Sequence, residues 1–275
     1  MVCLGFALTV HSHKGGTGKT SIAANLAAIF AKKGYDTFLV DYDFRAPSQY
    51  VVFESRPKHW VNDFLDGRCG LEECQVEVTQ RYQTKGRLVL AFSNPEPAAI
   101  LEMMTRDKAW QSKALRRIIE GKDVLFDDLK FRVLIFDTSP GIHFSAIDAV
   151  AVSDAVILVL TNDTVDLSGI SSMIKAIYQA LGKKTSMLLN KVISEKIAEC
   201  GVNTKVDRVE ELELIKSLGF DYPVAAVIPC YCELMFEGGR TIQTFRNPTH
   251  PFVEKLTAVA EQYELAGLGL PKSRI

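Results

Sequence analysis

Residues 4–20 read Leu-Gly-Phe-Ala-Leu-Thr-Val-His-Ser-His-Lys-Gly-Gly-Thr-Gly-Lys-Thr. The apolar run Leu4 to Val10 has the composition of a buried strand, and the glycine-rich run His13 to Thr20 joins it to a helix starting near Lys19. Gly15, Gly16 and Gly18 remove the Cβ atoms that would block a tight turn, so successive backbone N–H groups can point at anionic oxygens. The helix start adds its positive end to the same place. Lys19 is positioned to reach the β- and γ-phosphates of a nucleotide, and the Thr20 hydroxyl to sit on a magnesium ion bridging them. The general phosphate-loop pattern asks for glycine where this chain has His13, and it carries an additional lysine, Lys14, at the head of the loop.

The chain has 275 residues, 47% of them hydrophobic and 24% charged, enough to bury one large core; one domain over 1–275, with 266–275 as a loose tail, is the simplest count. A formal net charge of −1 does not mark a dedicated nucleic-acid binder, and basic pairs such as Arg116-Arg117 and Lys183-Lys184 read as solvated helix ends. The apolar start runs too directly into the loop to be a secretory signal, and the stretch Ala146 to Leu160 is interrupted by Asp148 and Asp154. Reduced thiols in a cytoplasm are the expected state of the six cysteines.

Further along, short β-rich runs alternate with helical patterns. The runs are Thr37–Val40, Arg87–Phe92, Val133–Phe136, Ala155–Leu160, Ser186–Leu189 and Val224–Ile228. Helices are expected at Ser21–Lys33, closed by Gly34, and at Ala98–Glu120, Leu167–Leu181, Val206–Leu218 and Pro251–Leu265. Phe53–Lys85 breaks the alternation and reads as a short helix followed by an irregular or hairpin insertion. The fold class is therefore α/β: a mostly parallel central sheet with helices on both faces, in a P-loop NTPase architecture.

In such sheets ligands bind at the carboxyl ends of the strands. The second strand ends in Asp41 and Asp43, two residues apart and so on one face. Val133-Leu134-Ile135-Phe136 ends in Asp137, the form of a site that holds magnesium through water. The turn Asp137-Thr138-Ser139-Pro140-Gly141 follows, where Gly141 can bring a backbone N–H to the γ-phosphate.

These motifs resemble those of the MinD/ParA family, archaeal MinD-like members especially. Lys14-Gly-Gly-Thr-Gly-Lys19-Thr20 is similar to its deviant Walker A loop, Val40-Asp-Tyr-Asp43 to its switch I, and Asp137-Thr-Ser-Pro-Gly141 to its switch II; Leu134–Val192 is similar throughout. The resemblance implies an ATP- and Mg2+-dependent ATPase whose subunits close face to face on ATP. Lys14 then reaches the partner's phosphates, Lys19 serves its own, and Asp43 orients or deprotonates the attacking water. Thr20, Asp41 and Asp137 serve the magnesium. The nucleotide set is Gly15, Gly16, Thr17, Gly18, Lys19, Thr20, Ser21, Gly141, Asn190 at the adenine and Pro229 closing the base pocket. A cytoplasmic homodimer with a protein activator or cargo follows, for positioning or partitioning that cargo. MinD proteins usually end in an amphipathic membrane helix; here Pro271 breaks the tail, which speaks against membrane binding.

Two other readings differ in class. Cys230-Tyr231-Cys232 on two subunits could hold zinc or an iron–sulfur cluster, as in metallocentre-maturation ATPases, although the usual C-x2-C spacing is absent. Cys69 and Cys74 are a weaker pair still. Asp41-Tyr-Asp-Phe-Arg-Ala-Pro47 also looks somewhat like the Asp-rich segment of bacterial tyrosine kinases that share the fold; those kinases carry a tyrosine cluster near the C-terminus, where this chain has Tyr263.

Overall fold

Strand β1 (Phe6–His11) is buried along its whole length, as are β2 (Thr37–Tyr42), β5 (Val133–Thr138) and β6 (Ala155–Leu160). A strand covered on both faces has no use for alternation, which is why these segments read as continuous apolar runs. The computed structural model of the chain describes residues 5–161, 174–193, 222–238 and 241–267. Its strands form one eight-stranded sheet in the order β3-β4-β2-β5-β1-β6-β7-β8, completed by β3 (Val76–Glu77), β4 (Leu88–Ala91), β7 (Lys184–Val192) and β8 (Val224–Pro229). All pairings are parallel except that of β3 with β4.

Helix α1 (Lys19–Lys33) lies against one face and is buried from Ile22 to Ala31. Its alanines at 23, 24, 27, 28 and 31 let the backbone come close to the sheet, while Ile22, Leu26 and Phe30 fill the space between. Each large side chain so buried contributes roughly 1.5–3 kcal/mol. Gly34 closes the helix at φ 102°, a left-handed cap. The last described helix, Pro251–Gly267, packs on α1 on the same face. Among the described residues no helix is long and apolar enough to cross a membrane.

On the other face lie α6 (Lys108–Asp123) and α7 (Phe144–Val152), over Phe38, Tyr42, Leu134 and Phe136. The single helix expected at Ala98–Glu120 is two, α5 (Pro97–Thr105) and α6, with Arg106 extended between them. Asp107 stops one and starts the next by accepting from the Trp110 amide at 2.7 Å, while Arg106 bonds Asp66 and lies over the Trp110 ring. Helical periodicity runs straight across such a cap. The Phe53–Lys85 insertion holds the short helices α3 (Val61–Leu65) and α4 (Thr79–Tyr82), a 3-10 turn (Leu71–Cys74) and β3, so its hairpin is made with β4 at the sheet edge. The expected helix at Val206–Leu218, most of that at Leu167–Leu181 and nearly all of the Gly267–Ile275 tail lie outside the described residues.

Helix α7 buries Asp148 with its Oδ2 lacking a hydrogen-bond partner, beside the equally buried Tyr42. Burial pushes this carboxyl up from 3.8 to about 7. The native state therefore holds a proton that the unfolded chain releases, and the stability this group permits is lost as pH rises from 3.8 to about 7. Replacing Asp148 with Asn removes that loss. Its Tm should exceed the wild type's by several degrees at pH 8 and by none at pH 4, in paired thermal melts; equal melts at pH 8 would mean the carboxyl is solvated.

Candidate functional site

The parallel register sets the site. Val10 of β1 and Asp41 of β2 both pair with Asp137 of β5, so the phosphate loop and the two strand-end carboxylates emerge together. Gly16 and Gly18 take φ 79° and 95°, the left-handed values that allow the loop to fold back over β1. A side chain at Gly18 would collide with Asn190, whose Nδ2 donates to the Thr17 carbonyl at 2.8 Å. Asn190 lies inside β7, in the stretch from Leu189 to Val192 where pairing with β8 slips, rather than at the strand's end. Lys191 donates to the Gly16 carbonyl at 2.8 Å, so both residues buttress the loop.

Lys19 is 6% exposed and donates to the Ser12 hydroxyl at 2.8 Å; that hydroxyl donates to the Lys14 carbonyl at 2.6 Å. Lys14 itself is exposed at the outer edge of the loop. Beneath Lys19 stand three buried carboxyls. Asp41 accepts the backbone amides of Ser48 and Gln49 at 3.0 Å each and of Asp43 at 3.2 Å, which starts the short helix α2 (Gln49–Val52). Asp43 accepts from the amides of Arg45 and Ala46 and from the Ser139 hydroxyl at 2.7 Å, joining switch I to switch II. Asp137 accepts from Gln49 at 2.9 Å through Oδ2, and its buried Oδ1 has no hydrogen-bond partner.

Burial raises Asp137 to about 6, with Lys19 pulling the other way and Asp43 adding to the rise. Asp41 is raised well above its ordinary value by burial and then by the charges of Asp137 and Asp43. Crowded carboxyls with an open oxygen, next to the Thr20 hydroxyl, form an all-oxygen donor set suited to a hard divalent cation. Asp137 and Thr20 fit magnesium. Asp41 lies beside this set with both oxygens on backbone amides, which caps α2 and adds its charge to the region. Gly141, at φ 78°, donates its N–H to the Ser12 carbonyl at 2.9 Å.

A cavity of about 640 Å³ runs from the loop to an apolar end. Gly15, Gly16, Gly18, Lys19, Thr20, Ser21 and Asp43 line its polar half; Pro229, Tyr231, Leu234, Met235 and Phe252 line the other, with Asn190 between. Thr17 is buried behind the loop and does not line it. The shape suits a nucleotide, with phosphates on the loop and base against the apolar wall. Gln49, Ser12, Ser139 and Lys191 are site residues to which sequence reasoning gave no role; Ser12 and Ser139 lie within stretches it quoted and Lys191 beside Asn190, but nothing in their spacing says which way they reach, and no sequence signal marks Gln49.

The two cysteines of the Cys230-Tyr231-Cys232 stretch differ in state. Cys232 is disulfide-bonded, correcting the expectation of six reduced thiols, while Cys230 is buried with its Sγ against Met235. Cys69 and Cys74 are buried thiols 3.6 Å apart. Among the described residues no group of three or more His, Cys, Asp or Glu forms a metal cluster.

Comparison with known proteins agrees with this geometry. Residues 7–194 match the family model described as AAA domain. An uncharacterised ATP-binding protein of Methanocaldococcus jannaschii is 27% identical over 241 residues, 82% of each chain. The tyrosine-protein kinase CpsD of Streptococcus pneumoniae serotype 4 is 33% identical over 156 residues, 55% of this chain and 61% of that protein. The septum site-determining protein MinD of Pyrococcus horikoshii, solved with Mg-ADP, superposes with a TM-score of 0.72 over 96% of this chain and 98% of that one, at 20% identity. The eight-stranded sheet, the loop at the end of its β1 strand and the match over 7–194 make this chain a member of the AAA-domain family, in its MinD/ParA group of P-loop ATPases.

Proposed function

We propose that the chain is a single P-loop ATPase unit acting as a dimerising switch: it binds Mg–ATP, closes on a second copy, hydrolyses ATP and reopens. The observation that carries this reading is the division of labour between two lysines. Lys19 is buried on Ser12 beneath its own loop, whereas Lys14 is exposed at the head of the loop. A buried lysine serves the phosphates of its own subunit; an exposed one at the head of the same loop lies on the surface that a neighbouring copy would meet.

The loop amides and Lys19 would hold the phosphates, and Thr20 and Asp137 would hold a magnesium ion, which would supply charge stabilisation at the terminal phosphate. Asp43 receives and orients the attacking water. Its Oδ1 accepts from the Ser139 hydroxyl and two backbone amides, so switch I must release part of this set for Asp43 to reach water. The Gly141–Ser12 bond likewise opens if the Gly141 amide is to reach a phosphate. Both changes alter the surface around the loop, which is how phosphate occupancy becomes legible to a partner. That partner is a protein activator or cargo whose position the switch controls, in the manner the septum-site relative's name describes. The kinase-like similarity lends no separate support, because Tyr263 is buried with its hydroxyl on Ser186 and is not presented as an acceptor.

Lys19→Ala should abolish nucleotide binding. Lys14→Ala should bind ATP within a few-fold of wild type yet fail to dimerise or hydrolyse it. Light scattering with a slowly hydrolysed ATP analogue decides; a normal Lys14→Ala dimer would overturn the switch. Asp43→Ala should bind and dimerise but turn over roughly 10²-fold more slowly, remaining closed. Single-turnover hydrolysis measured beside nucleotide affinity separates the two effects, and a collapse in affinity would move Asp43 from water to metal.

A further inference from the structure

Gln49 is the first residue of α2, and its side chain is wholly buried. Its backbone amide is held by Asp41, while its Nε2 donates to Asp137 Oδ2 at 2.9 Å and to the Thr20 carbonyl at 3.2 Å. One side chain thus touches the start of α1, the end of β5 and, through its own amide, the carboxyl that ends β2. The orientation of the amide is not arbitrary: turned over, its oxygen would face a carboxylate oxygen, acceptor against acceptor.

Two acceptors remain without hydrogen-bond partners in this buried place, Gln49 Oε1 and Asp137 Oδ1. Buried acceptors are rarely left so, because each costs the desolvation of a lone pair. Their shared position beside Thr20 means that the working site brings in either a cation or donors held by one. Gln49 engages Oδ2 and leaves Oδ1 as the open atom.

We propose that Gln49 is the positioning residue of the magnesium site: it fixes the rotamer of Asp137 so that Oδ1 is left for the cation, and it ties metal occupancy to the start of α2, which follows switch I. This rests on the reading of the site as one for a magnesium nucleotide. It separates Gln49 from a space-filling core residue, since only the amide's hydrogen bonds, not its bulk, do the work. Partners that orient a metal-binding side chain typically change metal affinity by about 10–100-fold when removed.

The test is the magnesium dependence of fluorescent ADP binding, measured with wild type, Gln49→Met, Asp137→Asn and the double variant. Methionine keeps the length and the backbone amide on Asp41 while removing the donor. Gln49→Met should bind metal-free ADP within about twofold of wild type but need about tenfold more magnesium for half the metal effect. In the Asp137→Asn background the Gln49→Met change should add little, because the carboxylate it positions is gone. An unchanged magnesium midpoint in Gln49→Met, or shifts that simply multiply in the double variant, overturns the proposal alone. Wild type that shows no magnesium-dependent ADP binding overturns the functional reading with it. If Gln49→Met does not fold, Gln49→Asn, whose amide is one methylene short of Asp137, is judged by the same midpoint.

Discussion

A buried positive charge and three buried carboxyls held within one network form the constraint on which this molecule depends. Lys19 is anchored on Ser12, and Asp41, Asp43 and Asp137 crowd beneath it at the ends of adjacent strands. Such a cluster is costly unless each charge finds donors, and the chain supplies them from backbone amides, Gln49 and Ser139. What is left over is local: one open oxygen on Asp137 and one on Gln49. These two open acceptors are where a cation, or donors carried by one, can engage the network.

Those contacts define the state described here. Gly141 is tied to Ser12 and Asp43 to Ser139, so the 137–141 turn is fixed both to the start of the phosphate loop and to the segment that follows β2. Asn190 and Lys191 press on the loop from the far side through the Thr17 and Gly16 carbonyls. The loop's shape is therefore set by neighbours on both flanks, and Gly18 cannot carry a side chain because Asn190 already occupies the space. A glycine read from sequence as a turn residue is also a packing residue.

The sequence carried the sheet because its central strands are buried on both faces and must be apolar throughout; β1, β2, β5 and β6 appear where the apolar runs stand. It carried the ends of α1 for a local reason, Gly18 and Gly34 being the residues that tolerate left-handed backbone. Where local signals cancelled, it did not. Asp107 interrupts a helical pattern with no break in periodicity, and the two-residue strand β3 is too short to show a period at all.

Which residues gather at the phosphate loop was likewise written in local order, since the glycines, Lys19 and the strand-end aspartates owe their place to the elements that carry them. Which atoms are free was decided only by tertiary structure. Asp41 and Asp137 look alike in sequence, each closing an apolar strand, yet Asp41 spends its oxygens on the amides of Ser48 and Gln49 while Asp137 keeps Oδ1 open. The difference comes from Gln49, eight residues beyond one aspartate and 88 from the other, and no pattern within either strand records it. Sequence determined the chemistry brought to this site, because residue type and local geometry fix what a group can do; the fold decided how that chemistry is shared, because hydrogen-bond capacity is consumed by neighbours that only folding brings together.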